Sequence, residues 1–454
     1  MPLEEDRFIE QFAQQALDGR MSLFVGAGAS CDAGYPSWSS LFEPFAKELG
    51  MTIGESTDYY RLAQYYVNKF GSAELRKRIN ESINRHDFKS PLMSELIDVG
   101  FTNIWTTNFD NAIELNYKDR HILLNKVFKD SDLANIDINK RINIFKLNGD
   151  ISNLEGIVAT QSDYERYADT HRIMLMFFKR EIVSSTFLFI GCSFTDHLVL
   201  DCLSELTSCL GESTPYHYTI MKNDQENPYF KYFIEDVEKR YHIRVLLVDD
   251  YENIPKVLAK LNDRIRSKRV FVSGAFSSFY PSIEEYSHRL SRNLAVALLS
   301  NDYRIISGIG RRFGTHLIGY ASEYLAKHGI KNIEKHLTVK PFVGYGEESL
   351  EEKRQMREAA IDKCGAAIFV FGEPVNNVKS GVLEEFEIAR SKNRTVIPIA
   401  YPGMASEEIW KEIEGNLTQF PYLEGKLESL TSDKAPEILS DIIVYILDSV
   451  REAR

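Results

Sequence analysis

The 454 residues carry 54 Lys+Arg against 66 Asp+Glu, a formal charge of -12, with 44% apolar and 12% aromatic residues. That content lies far from the low-hydrophobicity corner of disordered chains, and at ~150 residues per domain the length allows two or three folded domains. The acidic balance offers no broad field for nucleic acid or an anionic membrane, and no window approaches the ~18 uninterrupted apolar residues of a spanning helix.

The opening Met-Pro-Leu-Glu-Glu-Asp has neither the basic region nor the apolar core of a secretory signal, so the expectation is a cytoplasmic protein. Five cysteines, at 31, 192, 202, 209 and 364, are odd in number and widely spaced, which predicts reduced thiols. There is no Cys-x-x-Cys pair, which argues against a four-cysteine zinc site.

Residues 7–17 place Phe8, Ile9, Phe12, Ala16 and Leu17 at helical spacing, and a strand follows over 22–25. It runs into Gly26-Ala27-Gly28-Ala29-Ser30, then a polar stretch to Trp38 and helical pattern through Leu49. Further strands are expected at 103–105, 142–147, 186–190, 217–221 and 244–248, with helical periodicity between them. A helix from about Ile254 ends in a basic run, Arg264-Ile265-Arg266-Ser267-Lys268-Arg269, which reads as a solvated helix end and linker more readily than as a nucleic-acid patch. A second series follows, with strands at 270–273, 303–307, 335–339, 366–371 and 395–400. Strands alternating with helices predict parallel sheets, and the domain boundary falls near Ser267.

A glycine pair between a strand and a helix lets the backbone approach a phosphate, and Gly26 and Gly28 sit where that mechanism requires. Cys31 stands where the dehydrogenase fingerprint has its third glycine, so the pair alone fits a plain tight turn equally well.

Other blocks accompany it: Gly34, Pro36 and Trp38; Thr106-Thr107-Asn108-Phe109-Asp110; Lys146-Leu147-Asn148-Gly149-Asp150; and Gly191-Cys192-Ser193-Phe194-Thr195-Asp196. In this order, each at a strand end, they resemble the sirtuin (SIR2) family. The resemblance implies a Rossmann-like sheet binding NAD+ as substrate, with Gly26, Ala27, Gly28, Ser30, Asp32, Trp38, Asn108, Asp110, Gly191, Ser193 and Phe194 at the dinucleotide. By the same token Asn108 would hydrogen-bond the ribose or the surroundings of the departing amide, and Asp110 would orient its loop. Asn108 and Asp110 also suit plain helix capping.

Sirtuins carry His in the Lys-x-His-Gly-Asp block as general base, and here the residue is Asn148. An amide has no proton affinity near pH 7, so it can hydrogen-bond but cannot take that role. Either the base has been lost, naturally or by design, from an otherwise intact site, or the site manages with solvent and Asn108. The deacylase branch of the family has a zinc ribbon of two Cys-x-x-Cys pairs; its absence here favours NAD+ hydrolysis without a metal.

Val270-Phe271-Val272-Ser273-Gly274-Ala275, Ile305-Ile306-Ser307-Gly308-Ile309-Gly310 and the helix start Gly381-Val382-Leu383-Glu384 resemble the SLOG family of nucleotide-sensing domains. The Pro-Gly-Gly-x-Gly-Thr-x-x-Glu string of related phosphoribohydrolases is missing, so binding without hydrolysis is expected. Candidate effector contacts are Ser273, Gly274, Gly308, Gly310, Arg357, Lys379 and Glu384, with Arg311 and Arg312 nearby. Arg357 lies in a charge-rich helix, where a solvated side chain is an equal alternative.

The expectation is therefore an α/β chain of two Rossmann-like domains, a SIR2-type doubly wound parallel sheet over 1–266 and a SLOG-type α/β domain over 267–454. That fusion resembles the effector family of Thoeris antiphage defence. The resemblance implies a homo-oligomer, tetramer or larger, assembled through the SIR2 domains. It also implies a TIR-domain partner that makes a cyclic ADP-ribose isomer, whose binding to the SLOG domain activates NAD+ hydrolysis. The rival readings are a non-catalytic nucleotide sensor and an NAD-dependent protein deacylase.

Overall fold

Twelve strands form two sheets in the computed structural model, which describes residues 3–54, 57–84, 90–137, 140, 142–277, 281–341, 348–373 and 380–453. By their internal contacts residues fall into two compact units, Met1–Asn262 and Asp263–Arg454, the division lying inside the helix Ile254–Ser267.

In the first unit the strands are β1 (Met21–Val25), β2 (Asn103–Thr106), β3 (Leu124–Val127), β4 (Ile142–Lys146), β5 (Thr186–Ile190), β6 (His217–Lys222) and β7 (Ile243–Val248). They pair in the order β3-β4-β2-β1-β5-β6-β7, every pair parallel. The central strands β1 and β5 are buried along their whole length, which is why both read as unbroken runs without alternation. The order reverses at β1, with β2 to β4 on one side and β5 to β7 on the other. In an open parallel sheet the crevice beyond the strand ends at such a reversal is where ligands bind. The sequence reading missed β3, an edge strand whose Asn125 is buried and polar. Its amide donates to Asp137 O at 3.0 Å and Asn143 Oδ1 at 2.9 Å, so a hydrogen-bonded amide occupies a position where an apolar residue was sought.

The second unit holds β8 (Arg269–Ala275), β9 (Arg304–Ser307), β10 (Leu337–Val339), β11 (Ala366–Phe371) and β12 (Thr395–Ile399) in the order β10-β9-β8-β11-β12, again parallel throughout. Its reversal is at β8. The helices Pro281–Ser300, Phe313–Lys327, Glu348–Asp362 and Gly381–Ser391 connect successive strands, and Pro436–Glu452 closes the unit. The core is built from β8, β9, β11 and β12 with Leu290, Leu294, Leu317, Phe386, Ile443 and Ile446 from the helices. The expected α/β class is thus observed in both units, and strand bounds differ from the sequence reading by one or two residues at most ends. Among the described residues no helix is long and apolar enough to cross a membrane.

Candidate functional site

Beyond β1 the chain turns at Gly26, whose amide donates to Ile190 O at 2.8 Å, while the Gly28 amide donates to Gly191 O at 2.9 Å. A Cβ at Gly26 would lie 2.4 Å from Gly191 O, and one at Gly191 would lie 2.2 Å from Ala29 N. The glycines therefore let the loops after β1 and β5 touch, and both amides are committed to backbone carbonyls. The sequence reading gave these glycines to phosphate approach; here their small size serves loop packing. The helix that follows, Ala27–Asp32, is only six residues long. Gly191 also holds φ +70°, so Gly191→Ala combines a left-handed backbone with overpacking. We expect it to cost about 2–4 kcal/mol, read as a lower denaturant midpoint. An unchanged midpoint would show that the loops have room to part.

The loop after β2 carries the next functional positions. Thr106 Oγ1 donates to Val25 O at 2.7 Å and accepts the Asn108 amide at 2.9 Å, tying this loop to β1. That bond turns the Asn108 side chain inward, where its Nδ2 donates to Ser30 Oγ at 3.0 Å. Asn108 is 5% exposed, and its Oδ1 is buried without a hydrogen-bond partner. Asn108 lines a pocket together with Ala27, Tyr35, Pro36, Trp38 and Asp110. A buried unpaired acceptor on a residue that lines a pocket is a place for a donor from a ligand or water. Trp38 stands at its rim against Phe109 and Phe42, with ring centroids 5.4 and 5.5 Å away. Asp110 accepts the amide of Ala112, the first residue of the helix Ala112–Asp119, at 2.9 Å, although the N-cap position itself is Asn111. Burial raises the Asp110 carboxyl pKa, and Lys146 only partly offsets this.

The loop after β4 is anchored by a buried ion cluster. Lys146 Nζ lies 2.8 Å from Asp150 Oδ2 and 3.0 Å from Glu114 Oε1, and it also donates to the Asp110 carbonyl. Lys126 Nζ reaches Asp150 Oδ1 at 2.8 Å. Burial opposes ionisation of Asp150, but Lys146 and Lys126 outweigh it and hold the carboxyl well below its usual range. Gly149, at φ +89°, lies where a Cβ would meet Gly156 O at 2.5 Å. Between these anchors sits Asn148, 1% exposed. Its Nδ2 donates to the Tyr60 hydroxyl at 3.0 Å, and that hydroxyl donates to Asp196 Oδ2 at 3.3 Å. Burial raises the Asp196 carboxyl pKa, opposed by the Leu198 and Val199 amides.

Among the other predicted residues, Asp32 accepts from the Ser90 hydroxyl, which caps the helix Pro91–Val99. Ser193 is exposed and bonds Thr195 Oγ1 at 2.7 Å. Phe194 is buried at φ +53° against Phe189. Sequence reasoning missed Tyr60 altogether: it lies 88 positions before Asn148, in the helix Tyr59–Phe70, where an aromatic stripe reads as core.

In the second unit the predicted positions meet at the ends of β8 and β9. A Cβ on Gly310 would lie 2.3 Å from Gly274 O, and one on Gly274 would strike the Phe313 ring at 2.4 Å, so here too the glycines serve close packing. The loop of Gly308 also closes on Gly314. Ser273 donates to the Glu385 carboxylate, which Arg357 Nε reaches at 3.1 Å, and the same guanidinium pairs with Glu384. Burial raises the Glu385 carboxyl pKa against the pull of Arg357. Arg357 is therefore held by two carboxylates, with its side chain 15% exposed, which corrects the solvated reading of this residue. Lys379 lies outside the described residues.

Two family models match the chain: a SIR2-like domain over residues 102–246 and the Sir2- and TIR-associating SLOG family over residues 253–450. The chain is 27% identical over 466 residues to the NAD(+) hydrolase ThsA of Bacillus cereus (strain MSX-D12), spanning 98% of this chain and 97% of that protein. It is 28% identical over 490 residues to the NAD(+) hydrolase ThsA of Cytobacillus dafuensis, spanning 100% and 98%. A partial likeness, 24% over 196 residues, links 42% of the chain to 19% of Defense-associated sirtuin 2 of Bacillus subtilis.

Proposed function

From the premise that this is a ThsA-like protein, a SIR2-like domain followed by a SLOG domain, we propose that it is an antiphage-defence effector that hydrolyses NAD+ to nicotinamide and ADP-ribose. The nicotinamide of NAD+ is already a cationic leaving group, so the site needs no general acid. It must hold the ribose, stabilise an oxocarbenium-like transition state and direct water at the anomeric carbon.

The observation that carries this reading is Asn108, whose Oδ1 is buried and unpaired and which lines a pocket at the reversal of the first sheet. A ribose hydroxyl or the carboxamide NH2 of NAD+ supplies the donor it lacks. Trp38 gives that pocket an apolar rim, and the buried Lys146 cluster fixes the loops bearing Asn108 and Asn148. With Asn148 in the place of the family's histidine, turnover by this form is low.

The finer parts of the proposal concern control. A cyclic ADP-ribose isomer, made by a TIR-domain partner, binds at Ser273, Gly274, Gly308, Gly310, Arg357, Lys379 and Glu384 and activates the hydrolase. The working form is a cytoplasmic homo-oligomer, a tetramer or larger, built through the SIR2 domains. The test is nicotinamide release by the purified chain and its Asn148→His variant, with and without cyclic ADP-ribose isomers. We expect isomer-dependent release that is strong in the variant and weak in the parent. Asn148 itself favours one other reading, a nucleotide sensor that has lost catalysis. Nucleotide binding by both forms without release from either establishes that reading instead.

A further inference from the structure

Glu284, His288 and His316 converge in the second unit, with one ligating atom from each lying within 4.8 Å of the others. Glu284 and His288 stand one helical turn apart on Pro281–Ser300, and His316 comes from Phe313–Lys327. The two imidazoles stack with centroids 3.7 Å apart and 21° between planes, so they address the same region. Each Nδ1 is engaged elsewhere, that of His316 with the Ser287 hydroxyl at 3.2 Å and that of His288 with the Tyr320 hydroxyl at 3.0 Å. Both Nε2 atoms face a single oxygen, Glu284 Oε1, at 3.4 Å from His316 and 3.8 Å from His288. The other oxygen, Oε2, receives Arg312 Nη1 at 2.8 Å.

We propose that Glu284 Oε1, His288 Nε2 and His316 Nε2 form a binding site for a divalent cation of the zinc class, Zn2+, Co2+ or Ni2+. Two imidazoles and a carboxylate suit these ions, whereas Ca2+ and Mg2+ demand an oxygen shell. The surroundings match what metal ligands need. When an imidazole donates from Nδ1, its Nε2 keeps a lone pair for the metal, and outer partners fix the ring. Ser287, Tyr320 and Arg312 supply those outer bonds, Arg312 by holding the carboxylate oxygen that faces away from the ion. The His288 side chain is 44% exposed, which leaves a route for the ion and room for water in the remaining position.

The sequence reading expected no metal because it weighed cysteine pairs. No motif links His288 and His316, which meet only when two helices pack. Arg312 directly precedes Phe313–Lys327 and follows the Gly308–Gly310 turn, so an ion bound here braces the helix that closes on that turn.

The experiment is titration of the chelator-treated full chain with Co2+, read by its visible d–d absorption. The expected result is saturable uptake of one Co2+ per chain, displaced by Zn2+ and not by equal Mg2+ or Ca2+. His316→Ala and His288→Gln each weaken uptake at least about tenfold, while His328→Ala, at an exposed ring, leaves it unchanged. Should His316→Ala fail to fold, the more exposed His288→Gln decides. Absence of one-to-one uptake, uptake unaffected by His288→Gln, or displacement by Mg2+ overturns the proposal.

Discussion

Replacing Asn148 by His raises the rate of NAD+ cleavage by about 10²–10⁴-fold, the range a positioned general base contributes. The surroundings of position 148 already suit a histidine. The Asn148 amide donates to Tyr60, and Tyr60 donates to the half-buried Asp196 carboxylate. An imidazole N–H can replace that amide donor toward Tyr60, leaving the opposite ring nitrogen with a lone pair for a ribose hydroxyl or water. With histidine at 148, Tyr60 and Asp196 would complete the base-and-orienter arrangement of activated nucleophiles, which the amide cannot use for proton transfer. The gain is pH-dependent with a definite sign. The base works only when neutral, so the rate of the His form climbs as pH rises through the ordinary imidazole value of ~6.5, while that of the Asn form stays flat there. Tyr60→Phe in the His background removes the orienting hydroxyl and lowers the gain. Equal rates for the parent and Asn148→His across this pH range would sink the assignment of position 148 as the missing base.

The proposed control by a ligand on the second unit would have to meet an energetic condition. Driving a switch from 1:99 to 99:1 needs about 5.5 kcal/mol of differential affinity between its two states. An anionic ligand approaching Arg357 must first compete with Glu384 and Glu385, which already neutralise that guanidinium. With a chain charge of -12 the overall field adds to the opposition. On the proposed reading, Arg357 would have to exchange its observed carboxylate partners for a phosphate, and only better hydrogen bonding by the ligand would favour that exchange.

What could be read in advance followed burial. Strands β5 and β11 are buried at every position, and their apolar runs gave both ends correctly. Strand β3 stayed hidden because Asn125 is buried through hydrogen bonds, which leave no hydrophobic trace. Asn108 and Asn148 stand out in the sequence because their blocks, each at a strand end, resemble those of the sirtuin family, and the fold places both on loops after strands of the first sheet. Tyr60 does not stand out, because an aromatic residue in a helix signals packing whether or not its hydroxyl is used. Arg357 shows the converse: a charge visible in the sequence was assigned to a phosphate, and its carboxylate partners emerged only with the fold.

Lys146→Met should destabilise the first unit by about 3–5 kcal/mol, the usual cost of removing one partner from a buried ion pair. Lys146 and Asp150 are both fully buried, 2.8 Å apart, and Glu114 lies 3.0 Å from the same ammonium. Methionine fills the stem's volume but leaves Glu114 without that charge and Asp150 with Lys126 alone. The pH dependence separates this cause from simple loss of packing. In the parent, the Asp150 carboxyl is held below its unfolded value of ~3.9, so its stabilisation is complete above about pH 4 and lost only as pH falls through the folded value. Glu114 and Asp110 run the other way: burial raises both despite Lys146, so the folded state takes up their protons first and each costs stability as pH rises. Without the ammonium all of these carboxyls move further up, and acid relieves the penalty by protonating them. The deficit of Lys146→Met is therefore largest near pH 7 and shrinks toward pH 4.5, as urea unfolding at the two values would measure. A loss under about 1 kcal/mol would show that water or relaxation replaces the ammonium, and an equal loss at both pH values would reduce Lys146 to a packing residue. Because Lys146 also donates to the Asp110 carbonyl, the same change loosens the loop after β2 from the loop after β4. NAD+ binding by Lys146→Met should then weaken under conditions where the chain is still folded, since Asn108 and Asn148 sit on the two loops that the ammonium joins.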